Sequence, residues 1–167
     1  MSAKQPKVSI IVAVYNVEPY LRKSMNSLIN QTMKDLEFIC IDDCSTDNSY
    51  SILKEYAQKD NRFVVVNLPK NTGQGNTRNQ GLKIAKGKYI LFVDGDDCLA
   101  DESVLEKLDN LIGDKDTDVI YLGFKIQGDR EELVIPTEET CTKTYKAATD
   151  KYPNPWSKCW RKAFLDE

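Results

Sequence analysis

The feature that most constrains this chain is a rhythm: short apolar runs of strand length, each followed by a stretch with helical spacing. Val8–Tyr15 (VSIIVAVY) is rich in β-branched residues, as a strand buried on both faces would be. Pro19 suits a first helical turn, and Leu21, Met25, Leu28 and Ile29 follow on one helical face. Phe38–Ile41 is a second strand. After it, Ile52, Leu53, Tyr56 and Ala57 mark a second helix. Phe63–Val66 and Tyr89–Val93 continue the series, with a helix expected over Asn76–Lys86 and Gly87 as its C-cap. Val104, Leu105, Leu108, Leu111 and Ile112 predict a fourth helix stopped by Gly113. Asp118–Phe124 reads as a fifth strand, and Gly128-Asp129 as a hairpin turn into Leu133–Ile135. Alternation of this kind predicts an α/β fold: a mainly parallel sheet with helices on both faces.

Composition narrows the chemistry. The 167 residues suit one domain, or one domain and part of another. The net charge of −3 argues against a nucleic-acid partner, whose footprint would be basic. There is no histidine, which removes Ser-His-Asp triads, Cys-His dyads and His-based zinc sites. Acid–base work must fall to Asp, Glu, Lys, Tyr or Cys. The five cysteines (Cys40, Cys44, Cys98, Cys141, Cys159) form no C-x-x-C and are odd in number. Reduced thiols in a cytosolic protein are the expectation. No run approaches the ~18 apolar residues of a membrane span, and Val8–Val14 lacks a small-residue cleavage site after it.

In open α/β sheets ligands sit beyond the carboxyl ends of the strands, and the polar residues gather there. Strand one ends in Tyr15-Asn16, strand two in Asp42-Asp43, and strand four in Asp94-Gly95-Asp96-Asp97. Carboxylates capping the next helices would account for one or two of them. Three acids in four residues are better explained by a divalent cation, since like charges so close raise one another's pKa. Carboxylates suit Mg²⁺ or Mn²⁺, which keep places for phosphate oxygens. The glycine loop Gly73-Gln74-Gly75 follows strand three and lacks both the dinucleotide and the P-loop pattern, so a plain loop and N-cap remains an equal reading. Arg78 could pair with a phosphate in bidentate fashion.

Taken together, Val8–Asn16, Ser27-Leu28-Ile29-Asn30-Gln31-Thr32, Ile41–Asp47, Asn71-Thr72-Gly73 with Arg78–Gly81, and Phe92–Asp97 resemble inverting glycosyltransferase family 2, with the Rossmann-like GT-A fold. The resemblance covers about residues 6–125, with a weaker echo at 154–165. It implies a nucleotide-sugar-binding domain over 1–128 and the start of an acceptor-binding region over 129–167. By resemblance, Ala13, Tyr15 and Asp43 hold the nucleotide base, with Glu18 on the ribose side and Arg78 near the diphosphate. Asp94 lies near ribose and metal, Gly95 permits close approach of the donor, and Asp94 with Asp96 holds Mn²⁺ or Mg²⁺. Asp97 either assists or caps the next helix.

The implied reaction is metal-dependent transfer from a UDP-sugar, with inversion, to a saccharide or lipid-linked saccharide hydroxyl. The implied setting is bacterial envelope or capsular polysaccharide synthesis in the cytoplasm, with peripheral association at the inner membrane face compatible. The family's general base lies beyond the acidic motif, so it is expected past Glu167, and the chain reads as a fragment lacking part of the acceptor site. A non-catalytic sugar-nucleotide-binding module is the alternative. A phosphatase would want D-x-D-x-[TV], whereas Asp97-Cys98-Leu99 follows Asp96. One departure is Cys44, where the family commonly has Gly; Cys tolerates positive φ poorly, so a slightly different turn is expected. Trp156 and Trp160 are expected to bury the tail against the sheet rather than line a sugar subsite.

Overall fold

The computed structural model describes residues 5–113, 117–122, 124–126, 132–134 and 158–166. Their order is β1 (Val8–Val14), α1 (Glu18–Ile29), β2 (Leu36–Asp42), α2 (Ser49–Lys59), β3 (Phe63–Asn67), α3 (Gln74–Ile84) and β4 (Tyr89–Asp94). Then come α4 (Val104–Ile112), β5 (Val119–Tyr121), β6 (Phe124–Ile126), β7 (Glu132–Val134), β8 (Lys158–Arg161) and α5 (Lys162–Leu165). Six strands form one sheet in the order β3-β2-β1-β4-β8-β5, and β6 pairs with β7 in a separate antiparallel ribbon. The expected α/β architecture is therefore present. The proposed turn at Gly128-Asp129, Trp156 and Cys141 lie outside the described residues.

Strands β1 to β4 are parallel because each crossover carries a helix. The crossovers through α1 and α2 lie on one face of the sheet, where Leu21, Met25, Leu28, Ile52, Leu53 and Tyr56 pack on Val8, Ile10, Val12 and Phe38. Helix α4 joins them through Leu105, Leu108 and Ile112. The other face buries Ile11, Ile39, Ile41, Ile90 and Phe92, with Leu82 of α3 and Phe164 of α5 packed against them. Every residue of β1 and β2 is buried, which is why neither alternates polar with apolar. Strand order reverses between β1 and β4, since β2 lies on one side of β1 and β4 on the other.

Two local readings need correction. Helix α3 ends at Ile84 and Ala85 is already extended (φ −63°, ψ 133°). Gly87 therefore does not cap it; its N–H donates to Ser9 Oγ at 2.7 Å. Ser9 Oγ in turn donates to Glu37, whose carboxylate also accepts from Lys86 N, so the α3–β4 connection is tied down by a buried polar trio. The second is β8. The segment Lys158–Arg161 runs antiparallel to both β4 and β5 and sits between them. Trp160 is buried and its ring stacks on Phe164 with centroids 6.3 Å apart, in line with the expected burial of the tail against the sheet. No helix among the described residues is long and apolar enough to cross a membrane.

Candidate functional site

The register of the sheet decides which strand ends meet. Ala13 pairs with Ile41 on one side and with Asp94 on the other, and Val14 pairs with Asp42. The carboxyl ends of β1, β2 and β4 therefore finish level, at the point where strand order reverses. This is where open α/β sheets place ligands. Ala13, Tyr15, Asp43, Asp94 and Gly95 come together around it.

The β1 and β2 ends are laced into one rigid corner. Asn16 N donates to Ser45 Oγ at 3.0 Å, and Asn16 Oδ1 accepts from Thr46 N at 2.7 Å. Val17 N donates to Ser49 Oγ at 3.2 Å. The two helix N-termini then cap each other. Asp47 accepts from Glu18 N of α1 and from Ser49 N of α2, while Glu18 accepts from Asn48 N and Asn48 Nδ2. The orphan donors of both first turns find carboxylates this way, and charge and dipole agree. Donors from Ser49 and Glu18 hold the Asp47 carboxyl below its usual range against the opposing effect of burial. Glu18 thus has a structural task at the α1–α2 junction, where it accepts from Asn48.

Cys44 takes φ +63°. The turn after β2 is thus in the left-handed region that glycine adopts most readily, and the chain tolerates a side chain there. Ser45 N donating to Asp42 Oδ2 at 3.0 Å helps to hold it.

Asp43 is 2% exposed. Its Oδ1 accepts from Thr72 N at 2.8 Å and Thr72 Oγ1 at 2.9 Å, and its Oδ2 accepts from Gly73 N at 2.8 Å. Burial alone would raise its pKa. The donors of Thr72, Gly73 and Thr77 outweigh burial and hold the carboxyl below its usual range. The glycine loop before α3 is thereby fastened to the end of β2. Tyr15, 45% exposed, presents its ring to solvent beside this corner.

Helix α3 supplies the other wall. A Cβ at Gly81 would meet Ile11 Cγ2 at 2.4 Å, so only glycine lets α3 lie this close to β1. One turn earlier, Arg78 Nη2 donates to Asp94 Oδ1 at 2.6 Å, with both side chains largely buried. Arg78 Nε is buried with no partner. A buried guanidinium nitrogen without an acceptor is costly, and a phosphate oxygen is the kind of group that would relieve it.

The acidic turn after β4 has the opposite character. Gly95 N donates to Ala13 O at 3.0 Å, and a Cβ on Gly95 would lie 2.9 Å from Val17 Cγ2 and 3.2 Å from Ala13 O. Glycine is required here by packing against β1, quite apart from any donor. Asp96 and Asp97 are exposed. Partial desolvation, and then the charges of Asp94 and Asp96, push the Asp97 carboxyl above its usual range. Among the described residues no group of three or more candidate ligands forms a ready-made metal cage. The chemistry still fits a hard divalent cation, because Mg²⁺ or Mn²⁺ is ordinarily held by one or two carboxylates, water and substrate phosphates. Crowded negative charge at Asp97 is what such a cation would neutralise.

Sequence reasoning missed Ser27, Gln31 and Thr32 as anything but motif residues. Gln31 is fully buried and bonded to the segment that follows the acidic turn. A polar residue at the end of an apolar helical face was the available signal.

Comparison with known proteins adds a lineage. The family model described as glycosyl transferase family 2 matches residues 9–163. The poly(ribitol-phosphate) beta-glucosyltransferase of Bacillus spizizenii is 48% identical over 102 residues, covering 59% of this chain and 16% of that protein. The structure of S. aureus TarS in complex with UDP-GlcNAc aligns with a TM-score of 0.81 at 31% identity, covering 96% of this chain and 46% of that one. In fold alone, the Pyrobaculum calidifontis mannosyltransferase PcManGT, in complex with GDP-Man and Mn²⁺, aligns with a TM-score of 0.65 at 21% identity over 71% of this chain and 35% of that one. The chain spans less than half the length of each of these three.

Proposed function

The chain belongs to glycosyl transferase family 2, and from that premise we propose that it is the donor-binding part of a metal-dependent, inverting glycosyltransferase that takes a UDP-sugar. The observation that carries the reading is the pairing of Ala13 with Asp94 at the switch point, with Arg78 on Asp94 and its Nε unpartnered. A nucleoside diphosphate laid across this point meets a base end at β1–β2 and a diphosphate end at β4–α3. The TarS likeness, whose ligand is UDP-GlcNAc, favours uridine, and the likeness to a poly(ribitol-phosphate) beta-glucosyltransferase favours a polymer acceptor.

At the base end, Tyr15 offers an exposed ring face for stacking, beside Ala13. Asp43 serves by holding Thr72 and Gly73 in place; a direct bond to the uracil N3–H requires one of its present donors to yield. Glu18 acts on the ribose side only through the corner it stiffens. Arg78 pairs with the diphosphate, and its planar fork orients two oxygens at once. Asp96, with Asp94, holds Mn²⁺ or Mg²⁺. A cation held there would supply charge neutralisation for the departing nucleoside diphosphate. Gly95 lets the turn hug β1, so that the strand end stays open to the donor. The acceptor hydroxyl, deprotonated by a general base, attacks the anomeric carbon from the opposite face of the sugar as the bond to the nucleoside diphosphate breaks. Residues 1–128 form the donor half and 129–167 begin the acceptor half. Bacterial envelope or capsular polysaccharide synthesis on the cytoplasmic side is the setting that suits such a donor.

Calorimetric titration tests this. UDP is expected to bind about tenfold more tightly with Mn²⁺ than in chelator, and Asp96→Ala to remove the difference. Equal affinities in the wild type would overturn the metal role. Tighter binding of GDP or NAD than of UDP would overturn the uridine reading.

A further inference from the structure

The acidic turn is an arch with two footings. One is Gly95, whose N–H donates to Ala13 O. The other is helix α1. Ser27 Oγ, itself donating to Ser24 O at 2.7 Å, accepts from Leu99 N at 3.1 Å. Gln31 Nε2 donates to Asp101 O at 2.7 Å and to Ser27 O at 2.9 Å, and Gln31 Oε1 accepts from Leu105 N at 3.1 Å. Thr32 N donates to Glu102 O at 2.8 Å, and Thr32 Oγ1 to Glu106 Oε2 at 2.8 Å. Three residues at the end of α1 and just past it, Ser27, Gln31 and Thr32, therefore hold main-chain atoms of 99, 101, 102 and 105.

The capping of α4 shows how deliberate this is. Ser103 stands at its N-cap yet makes no side-chain cap bond; its hydroxyl goes to Asp101 Oδ1 at 2.7 Å instead. The orphan N–H of Leu105 in the first turn is satisfied from another helix, by Gln31. A buried amide using both ends on distant backbone fixes that backbone more firmly than a local cap does. Between the footings only Asp96, Asp97 and Cys98 stand exposed. Their carboxylates repel each other, so a turn held at one end alone would spread.

We propose that Ser27 and Gln31 are positioning residues for the cation and diphosphate: acting through the main chain of residues 99–105, they hold Asp96 at the place where it meets a divalent cation. This rests on the donor-binding reading above. Outer-shell groups that fix a ligating carboxylate are typically worth about 10–100-fold in metal affinity.

The test titrates UDP into this chain with Mn²⁺ and, separately, with EDTA, for the wild type, Ser27→Ala, Ser27→Thr and Gln31→Glu. Ser27→Ala is expected to lower UDP affinity in Mn²⁺ by about tenfold and to leave affinity in EDTA unchanged. Ser27→Thr keeps the hydroxyl and should restore it. Gln31→Glu loses the donors to Asp101 O and should behave like Ser27→Ala or worse; if it does not fold, Ser27→Ala decides. The proposal is overturned if folded Ser27→Ala keeps the full Mn²⁺ increment, or if it loses affinity equally in EDTA, as a general loosening of the fold would cause. A wild type with no Mn²⁺ increment brings down the donor-binding reading together with this one. A normal wild-type increment retained in the variants brings down this one alone.

Discussion

Two strand ends in this molecule carry adjacent acids, and they are put to opposite uses. At the end of β2, Asp42 and Asp43 are almost wholly buried. Asp43 spends its carboxylate on Thr72 and Gly73, and Asp42 accepts from Ser45 N. At the end of β4, Asp96 and Asp97 are exposed, and the Asp97 carboxyl is pushed up by partial desolvation and then by the charges of Asp94 and Asp96. The pattern in the sequence is nearly the same. The difference lies in what faces each pair: backbone donors of a glycine loop in one case, other carboxylates in the other. A buried acid surrounded by N–H groups builds structure, whereas exposed acids crowded together suit the cation proposed above.

The sharpest way to break this contrast is to truncate each side. Asp43→Ala should cost about 2 kcal/mol of folding stability, since it removes a buried carboxylate that accepts from Thr72 N, Thr72 Oγ1 and Gly73 N. Asp96→Ala should change stability by no more than about 0.5 kcal/mol. Urea unfolding of both variants measures this, and similar losses in the two would abolish the distinction.

Acid sharpens it next. The pKa values of Asp43, Asp47 and Asp60 are lowered in the folded chain. Groups of this kind add stability that is fully present above their unfolded value, about pH 4, and is lost as pH falls through the folded value. Stability should therefore decline between roughly pH 5 and pH 3, and Asp43→Asn should flatten that slope. Asp97 has the opposite sign: its raised value means that its proton favours the folded chain, so Asp97→Asn should leave the acid slope no shallower. The smallest effect belongs to the turn between the two acids and α2. Cys44→Gly relieves a left-handed residue but gains unfolded-state entropy, for a net stabilisation of about 0.5 kcal/mol, readable as a raised thermal midpoint. A lowered midpoint would mean that the Cys44 side chain contributes more by packing than its backbone costs.

Much of the scaffold was legible because it is local. β1 to β4 and their helices follow from apolar runs and helical spacing, and the position of Asp94 beside Ala13 follows from parallel strands of similar length. The corner at Asn16, Glu18, Asp47 and Ser49 was half legible. Asp47 and Ser49 have the composition of caps, but that Glu18 and Asp47 cap each other's helices depends on two loops meeting in space. The roles of Ser27 and Gln31 were hidden for the same reason, since their partners lie some seventy residues away. The place of β8 was the least legible. A four-residue strand containing Lys158 and Arg161 has no periodicity to read, and its insertion between β4 and β5 is a matter of non-local pairing alone.

That insertion has a bearing on how the polypeptide is made. During vectorial synthesis β1 to β4 emerge first and can assemble, but the β4 edge has no partner until Lys158–Arg161 leaves the ribosome. Over that interval the nascent sheet presents an open row of backbone donors and acceptors flanked by Ile90 and Phe92. Such edges invite pairing with other chains, and long-range closure is slow. A strand made well after β4 is the one that seals the first-made sheet, and the nascent chain is most vulnerable to misassembly just before that strand arrives.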